Sequence, residues 1–71
     1  MGQWRTGRFV TWEGMVGQVV REVVRKKAVY VTVRRPMGTT RWYDQVFPKS
    51  ELVAVPARVG RRLEQERRHM W

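Results

Sequence analysis

The stretch from Met15 to Val24 constrains the fold more than any other, because its pattern fits both a helix and a strand. Its apolar residues recur at three- and four-residue intervals, as in an amphipathic helix, and the Glu22–Lys26 spacing would support that helix. However, five of the six apolar residues are valine, which loses rotamer freedom in a helix. Gly14 and Gly17 would each cost roughly 1 kcal/mol in a helix interior. We therefore predict a long, bent strand, which either is covered on both faces or carries a bulge near Gly17, and the helix remains the alternative.

Alternating apolar and polar residues mark further strands around this stretch. From Ala28 to Arg34, three valines share one face while Tyr30 and Thr32 share the other. The remaining predicted strands are Arg8–Trp12, Arg41–Phe47 and Leu52–Val55, and the predicted turns are Arg35–Thr39 and Pro48–Glu51. The sequence therefore predicts an all-β fold. A single domain of 71 residues is expected to bury only about 60% of its unfolded surface.

The order of these elements resembles a known family. A glycine-containing strand start, a charged turn, a β-rich strand and a closing strand follow one another: Glu13–Val20, Arg25–Lys27, Val29–Val33 and Ser50–Val55. The order is similar to the KOW motif and its SH3-like barrel, as in the carboxy-terminal domain of NusG-type transcription factors and several ribosomal proteins. The resemblance spans Phe9 to Val55. It implies a small five-stranded SH3-like barrel in residues 8–55, after an N-terminal arm in residues 1–7, that binds RNA, DNA or protein.

The C-terminal segment, residues 56–71, differs in composition from the predicted barrel. Its five arginines and two glutamates give a local charge of +3, which leaves +6 of the net +9 in the rest of the chain. If the segment is helical, Val59, Leu63 and Met70 fall on one face and would dock the helix on the barrel. A disordered tail and an arginine-rich segment that folds on RNA are the alternatives.

Charge is the main indication of function. The chain has fifteen Lys and Arg but only six Asp and Glu, and twelve of the cations are arginine. The planar guanidinium group of arginine can donate two hydrogen bonds to one phosphate. Repulsion among so many positive charges destabilises the folded protein unless an anionic partner neutralises them. Four Trp and two Tyr add flat rings on which bases stack. These features indicate nucleic acid as the partner.

The candidate nucleic-acid-binding residues fall into three groups. They are a hairpin turn, a second hairpin end with an aromatic pair, and the C-terminal segment: Arg25, Lys26 and Lys27; Arg34, Arg35, Arg41, Trp42 and Tyr43; Arg58, Arg61, Arg62, Arg67 and Arg68. No acid lies within the first two cationic runs, so local ion pairing is not expected to absorb their charge. Because Trp42 and Tyr43 are adjacent in a strand, one ring is expected in the core and the other at the surface, where it would stack on bases. Each run also fits an ordinary solvated turn or helix face.

Catalysis has little support in the sequence. The chain has no cysteine, and its lone histidine, His69, lies in a polar stretch, so no cysteine or multi-histidine metal site is expected. The carboxylates of the predicted barrel, Glu13, Glu22, Asp44 and Glu51, lack the paired spacing that acid–base chemistry uses. We expect no enzyme activity, metal or cofactor. No signal peptide or membrane span is recognisable, so the expected location is cytoplasmic, without a membrane partner.

Three functions follow from these observations. The preferred one is a non-enzymatic nucleic-acid-binding barrel, such as a regulator associated with transcription or translation. The alternative is a protein-binding adaptor or small accessory subunit that docks on an acidic surface, for example of RNA polymerase or the ribosome. A small oligomeric enzyme with a central pore is the third. The sequence specifies neither RNA over DNA nor an oligomeric state.

Overall fold

Five strands and one helix make up the described part of the chain. The structure is a computed structural model that describes residues 3–37 and 40–69. Its elements are strands β1 (Phe9–Trp12), β2 (Met15–Arg25), β3 (Ala28–Met37) and β4 (Arg41–Pro48), a 3-10 turn (Lys49–Glu51), strand β5 (Val53–Ala54) and helix α1 (Ala57–His69). The strands form one antiparallel sheet in the order β4-β3-β2-β1-β5. The predicted all-β fold of five strands with a C-terminal helix is confirmed.

The valine-rich stretch is extended as predicted, and the helix alternative is wrong. The strand does carry a bulge, one of the two forms considered, but the bulge lies at Val20, where the register of β2 against β3 shifts between Val19 and Arg21. Gly17 has a different role. A Cβ at this position would collide with the side chain of Val33, so only glycine lets that side chain pack over β2.

The sheet curls until strands that are not neighbours meet. β1 and β4 are separated in the sheet by β2 and β3, yet the rings of Trp12 and Phe47 pack with their centroids 4.7 Å apart. The largest fully buried side chains of the described residues are four valines: Val10, Val19, Val31 and Val33. Each such burial stabilises the fold by roughly 1.5–3 kcal/mol. The centre of the core is therefore built from small side chains, in agreement with the thin core expected from chain length.

Helix α1 packs on the outer surface of the curled sheet. Gly60 is buried against Phe9, and a Cβ at Gly60 would collide with the Phe9 ring. One helical turn further on, the side-chain amide of Gln18 donates a hydrogen bond to the Glu64 carboxylate over 3.0 Å. The helix therefore approaches the sheet closely through its own backbone at Gly60 and is fixed by a polar contact beside it.

The predicted docking face of the helix is partly wrong. Val59 is exposed, Leu63 is half-buried, and Met70 lies outside the described residues. The face is rotated because Gly60, which has no side chain, lets the helix backbone meet the sheet directly. A disordered tail is likewise wrong for residues 57–69, which are helical.

β3 continues past its predicted end. Arg35, Pro36 and Met37, the first residues of the predicted turn, belong to the strand. Beyond Arg34 the strand pairs with β4 but no longer with β2, and proline is tolerated where one side of a strand is unpaired. The β3–β4 hairpin therefore extends beyond the rest of the sheet.

Candidate nucleic-acid interface

The bulge at Val20 decides which side chains of β2 face outward. Beyond the bulge, Glu22 pairs with the fully buried Val31 and faces inward, with its side chain 5% exposed. Successive side chains of a strand alternate between faces, so Arg21 and Arg25 point to the outer face. If Val20 were paired in a regular ladder instead, the two arginines would be directed toward the core.

A shallow groove of about 640 Å³ lies on this outer face of β2, β3 and β4, and none of its described lining residues belongs to helix α1. The cations that line the groove are Arg21, Arg25 and Lys26, and its larger apolar residues are Val23, Tyr30 and Val46. Tyr30 is 37% and Val46 61% exposed. Within residues 3–37 and 40–69, no carboxylate lines this groove. Cations around an apolar floor suit an anionic chain that also carries flat rings.

Tyr30 also lines a second groove of about 440 Å³, between the hairpin turn and the 3-10 turn. Lys27 and Lys49 are the cations of this groove, and Pro48 forms part of its wall. The two grooves therefore meet at Tyr30, with positive charge on both sides of the ring.

The turn between β2 and β3 has a strained backbone. Lys26 and Lys27 adopt positive φ angles of 45° and 69°, a region that costs roughly 1–2 kcal/mol for a residue with a Cβ. Asn-Gly is preferred in two-residue turns of this kind. Arg25, Lys26 and Lys27 are exposed, and no carboxylate of the described residues lies within 4.0 Å of them. The first predicted cluster is thus a compact cationic turn.

The second predicted cluster contains an ion pair. Arg34 donates from Nε and Nη2 to the two carboxylate oxygens of Asp44, over 2.9 and 3.3 Å. The hydrogen bond is the main reason why the pKa of Asp44 lies below its usual value and the pKa of Arg34 above it. We expected no ion pair to neutralise the cations of this cluster. The expectation is wrong for Arg34, because Asp44 lies directly opposite on β4.

Arg35 and Arg41 lie on the face opposite to Arg34. Neighbouring residues of a strand point to opposite sides, and the Arg35 Cζ atom lies 5.2 Å from the centroid of the Tyr43 ring. Its Nε atom is buried and has no hydrogen-bond partner among the described residues. Arg41 pairs with Met37 and shares the face of Arg35. The three arginines therefore do not form one surface.

Trp42 and Tyr43 are both at the surface. They are 43% and 46% exposed, so the prediction that one of the two rings lies in the core is wrong. The reason is the extended β3–β4 hairpin: Trp42 and Tyr43 pair with Pro36 and Arg35, beyond the part of β3 that pairs with β2. Of the residues of this end that the structure describes, only Pro36 is buried.

The arginines of the C-terminal segment have different roles. Three of them are exposed on α1: Arg58, Arg61 and Arg62. Arg62 forms a 4.0 Å ion pair with Glu66 one turn later. Arg67 donates a hydrogen bond to the carbonyl oxygen of Gly14 in the β1–β2 turn and so fastens the helix to the barrel. The side chain of Arg68 lies outside the described residues.

An inward-facing ion pair, which the sequence does not reveal, connects β2 with the 3-10 turn. The Lys49 Nζ atom lies 2.8 Å from Glu22 Oε1 and 4.6 Å from the centroid of the Trp4 ring. The Trp4 backbone N–H donates to the same carboxylate oxygen over 3.3 Å. The hydrogen bond from Lys49 lowers the pKa of Glu22, against the opposing effect of burial. This carboxylate is engaged in holding the N-terminal arm and the 3-10 turn together.

Neither a metal cluster nor a membrane-spanning helix occurs within residues 3–37 and 40–69. No group of three or more His, Cys, Asp or Glu there could hold a metal ion, and no helix there is long and apolar enough to cross a membrane. Comparison with protein-family models, curated proteins and solved structures finds no match to this chain. Charge and geometry are therefore the basis for assigning a function.

Proposed function

We propose that this protein binds nucleic acid, without catalysing a reaction, through the outer face of β2, β3 and β4. The observation that carries the proposal is the groove lined by Arg21, Arg25 and Lys26, in which none of the described lining residues is a carboxylate. Guanidinium groups grip phosphates at two points, and a net charge of +9 attracts a polyanion over a distance. Arg21, absent from the sequence-based candidates, joins this surface because of the bulge.

The other basic residues contribute unequally to this function. Arg58, Arg61 and Arg62 are exposed on α1, are not among the described residues that line the groove, and contribute to the long-range attraction of a polyanion. Arg34 contributes less, because Asp44 offsets its charge. The resemblance to the KOW family supports a role in transcription or translation, and the cytoplasm is the location in which we place this function.

An adaptor for an acidic protein surface, such as one on RNA polymerase, is the second candidate. The observation that favours it is the apolar floor of the groove, where Val46 is 61% exposed beside Val23. An apolar centre with a polar rim is common at protein interfaces. An acidic segment with apolar side chains would fit the same groove.

Titration of fluorescent oligonucleotides at several salt concentrations tests the proposal. The groove variant carries Arg21→Gln, Arg25→Gln and Lys26→Gln together. The matched control carries Arg58→Gln, Arg61→Gln and Arg62→Gln, so both variants lose three positive charges. Each lost phosphate contact should flatten the log–log salt slope by roughly 0.7 to 0.9. We expect the groove variant to lose more affinity and more slope than the control.

The outcomes separate the candidates. A larger loss in the helix variant would place the interface on α1. Absence of oligonucleotide binding by the wild-type protein at low salt would refute the nucleic-acid function. Binding to an acidic protein partner that survives nuclease treatment, and is weakened by the groove variant, would then support the adaptor. Thermal unfolding checks that each variant is folded, because surface substitutions usually change stability by less than about 0.5 kcal/mol.

A further inference from the structure

We infer that the ligand is a single-stranded nucleic acid that crosses the β2–β3 hairpin with one base stacked on Tyr30. The inference rests on the proposed function. It adds the strand state of the ligand and the residue that contacts a base.

The position of Tyr30 between two grooves is the first observation. The groove of about 640 Å³ and the groove of about 440 Å³ share Tyr30 and Ala28 in their linings. Arg25 and Lys26 lie on one side of this boundary and Lys27 on the other. A flexible anion that follows the positive charge from one groove to the next therefore passes over the tyrosine ring. The small side chain of Ala28 leaves room for the backbone of that chain beside the ring.

The support beneath Tyr30 is the second observation. Its neighbours across the strands are Val23 on β2 and Pro48 on β4, so the residue lies on a strand that is paired on both sides. The residue is 37% exposed, which means that most of its surface packs against the protein while part remains accessible. A ring held in this way is a suitable platform for a base, because its side chain loses little conformational entropy on binding.

The geometry favours a single strand over a duplex. Bases of a duplex are stacked on one another inside the helix and cannot lie on a ring at the bottom of a shallow groove. Unpaired bases splay outward and stack on aromatic side chains, while the cations around the ring contact the phosphates. RNA and DNA single strands share this chemistry, and both are ligands under this inference.

The contact is tested by removing the aromatic ring from the protein and, separately, the bases from the ligand. Tyr30→Leu keeps apolar bulk and removes the ring, and Tyr30→Phe is the matched control that keeps it. The probes are an oligothymidine of about 10 nucleotides, an abasic strand of equal length, and a duplex of the same length. Tyr30→Leu should weaken oligothymidine binding by roughly 5- to 150-fold. Tyr30→Phe should bind as the wild type does, and the salt slope should be the same for all three proteins.

The abasic strand distinguishes stacking from a structural effect. It retains the phosphates but has no base to stack, so wild type and Tyr30→Leu should bind it equally. Equal weakening on both strands, an unchanged affinity of Tyr30→Leu for oligothymidine, or tighter binding of the duplex would overturn the inference while leaving nucleic-acid binding intact. If wild type binds none of the three probes at low salt, the proposed function itself fails.

Discussion

The Lys49 ammonium group lies 2.8 Å from the Glu22 carboxylate, and it is this contact that joins β2 to the 3-10 turn. The two side chains differ in exposure: Glu22 retains 5% and Lys49 27% of its accessible surface. Trp4 covers the pair from the N-terminal arm, with its ring over the ammonium group and its backbone N–H on the carboxylate. Three separate segments of the chain therefore depend on one carboxylate.

Glu22→Gln should lower the free energy of unfolding by about 1–3 kcal/mol, because Lys49 and the Trp4 N–H lose a charged acceptor. Since the fold lowers the pKa of Glu22 below its ordinary value of 4.5, the contribution is fully present above that value. It is lost as the pH falls through the lower folded pKa. Denaturant unfolding at a series of pH values should therefore show wild type and variant converging below about pH 4.5.

Asp44 titrates in the same acid range and has a lowered pKa of its own. Asp44→Asn therefore serves as the control, because it shows how much of the pH dependence of the unfolding free energy comes from Asp44 and not from Glu22. A difference between Glu22→Gln and wild type that stays constant down to the lowest pH would contradict a role for the ionised Glu22 carboxylate.

Gly60→Ala should destabilise the protein even though alanine is the better helix former. The gain in helix propensity is about 1 kcal/mol, but the new methyl group would collide with the Phe9 ring, and overpacking of this kind costs typically 1–3 kcal/mol. Thermal unfolding measures the balance. Gln65→Ala, at an exposed position of the same helix, is the control and should be neutral or slightly stabilising. A stabilised Gly60→Ala would show that α1 is not held close to the sheet.

Lys26→Asn with Lys27→Gly should separate stability from binding. Asn-Gly is the preferred pair for a two-residue turn with positive φ at both positions, so the unfolding free energy should rise by roughly 1 kcal/mol. The same change removes two cations from the proposed interface and should weaken oligonucleotide binding. Titration and thermal unfolding on one preparation measure both effects. A variant that is more stable and binds as tightly as wild type would exclude this turn from the interface.

Asp44→Asn should strengthen nucleic-acid binding. The change releases Arg34 from its bidentate ion pair on the outer face that also carries Arg21. If Arg34 then contacts a phosphate, the salt slope should steepen by roughly 0.7 to 0.9. Arg34→Gln in the wild-type background should change affinity little, because that charge is already offset. A large loss in Arg34→Gln would mean that the ion pair opens on binding.

The strands were accessible to sequence reasoning because their signal is local. Valine content and period-two alternation predict β2 and the core side of β3, and Val31 and Val33 are indeed fully buried. The end of β3 is different. Pro36 is a turn signal on its own, and its place in a strand depends on where β2 stops pairing, which no local pattern records.

The candidate site was less predictable because it depends on register. The Arg34–Asp44 pair requires the alignment of β3 with β4, and the outward direction of Arg21 requires the bulge at Val20. Gly60 illustrates a third difficulty. Within a helical sequence a glycine only indicates low helix propensity, whereas the close contact with Phe9 that requires a glycine here is visible only in the packed structure.

The bulge at Val20 also bears on how such a chain can change over time. Deleting Val20 would place Arg21 directly after Val19 and still opposite Thr32, so β2 would become regular and its outer face would keep its arginines. Drawing residue 20 into the regular ladder, in contrast, would turn Arg21 toward the valine core and Glu22 toward solvent in one step. Descendants that keep the cationic face can therefore lose the residue at position 20, whereas those that retain a residue there should also retain the bulge.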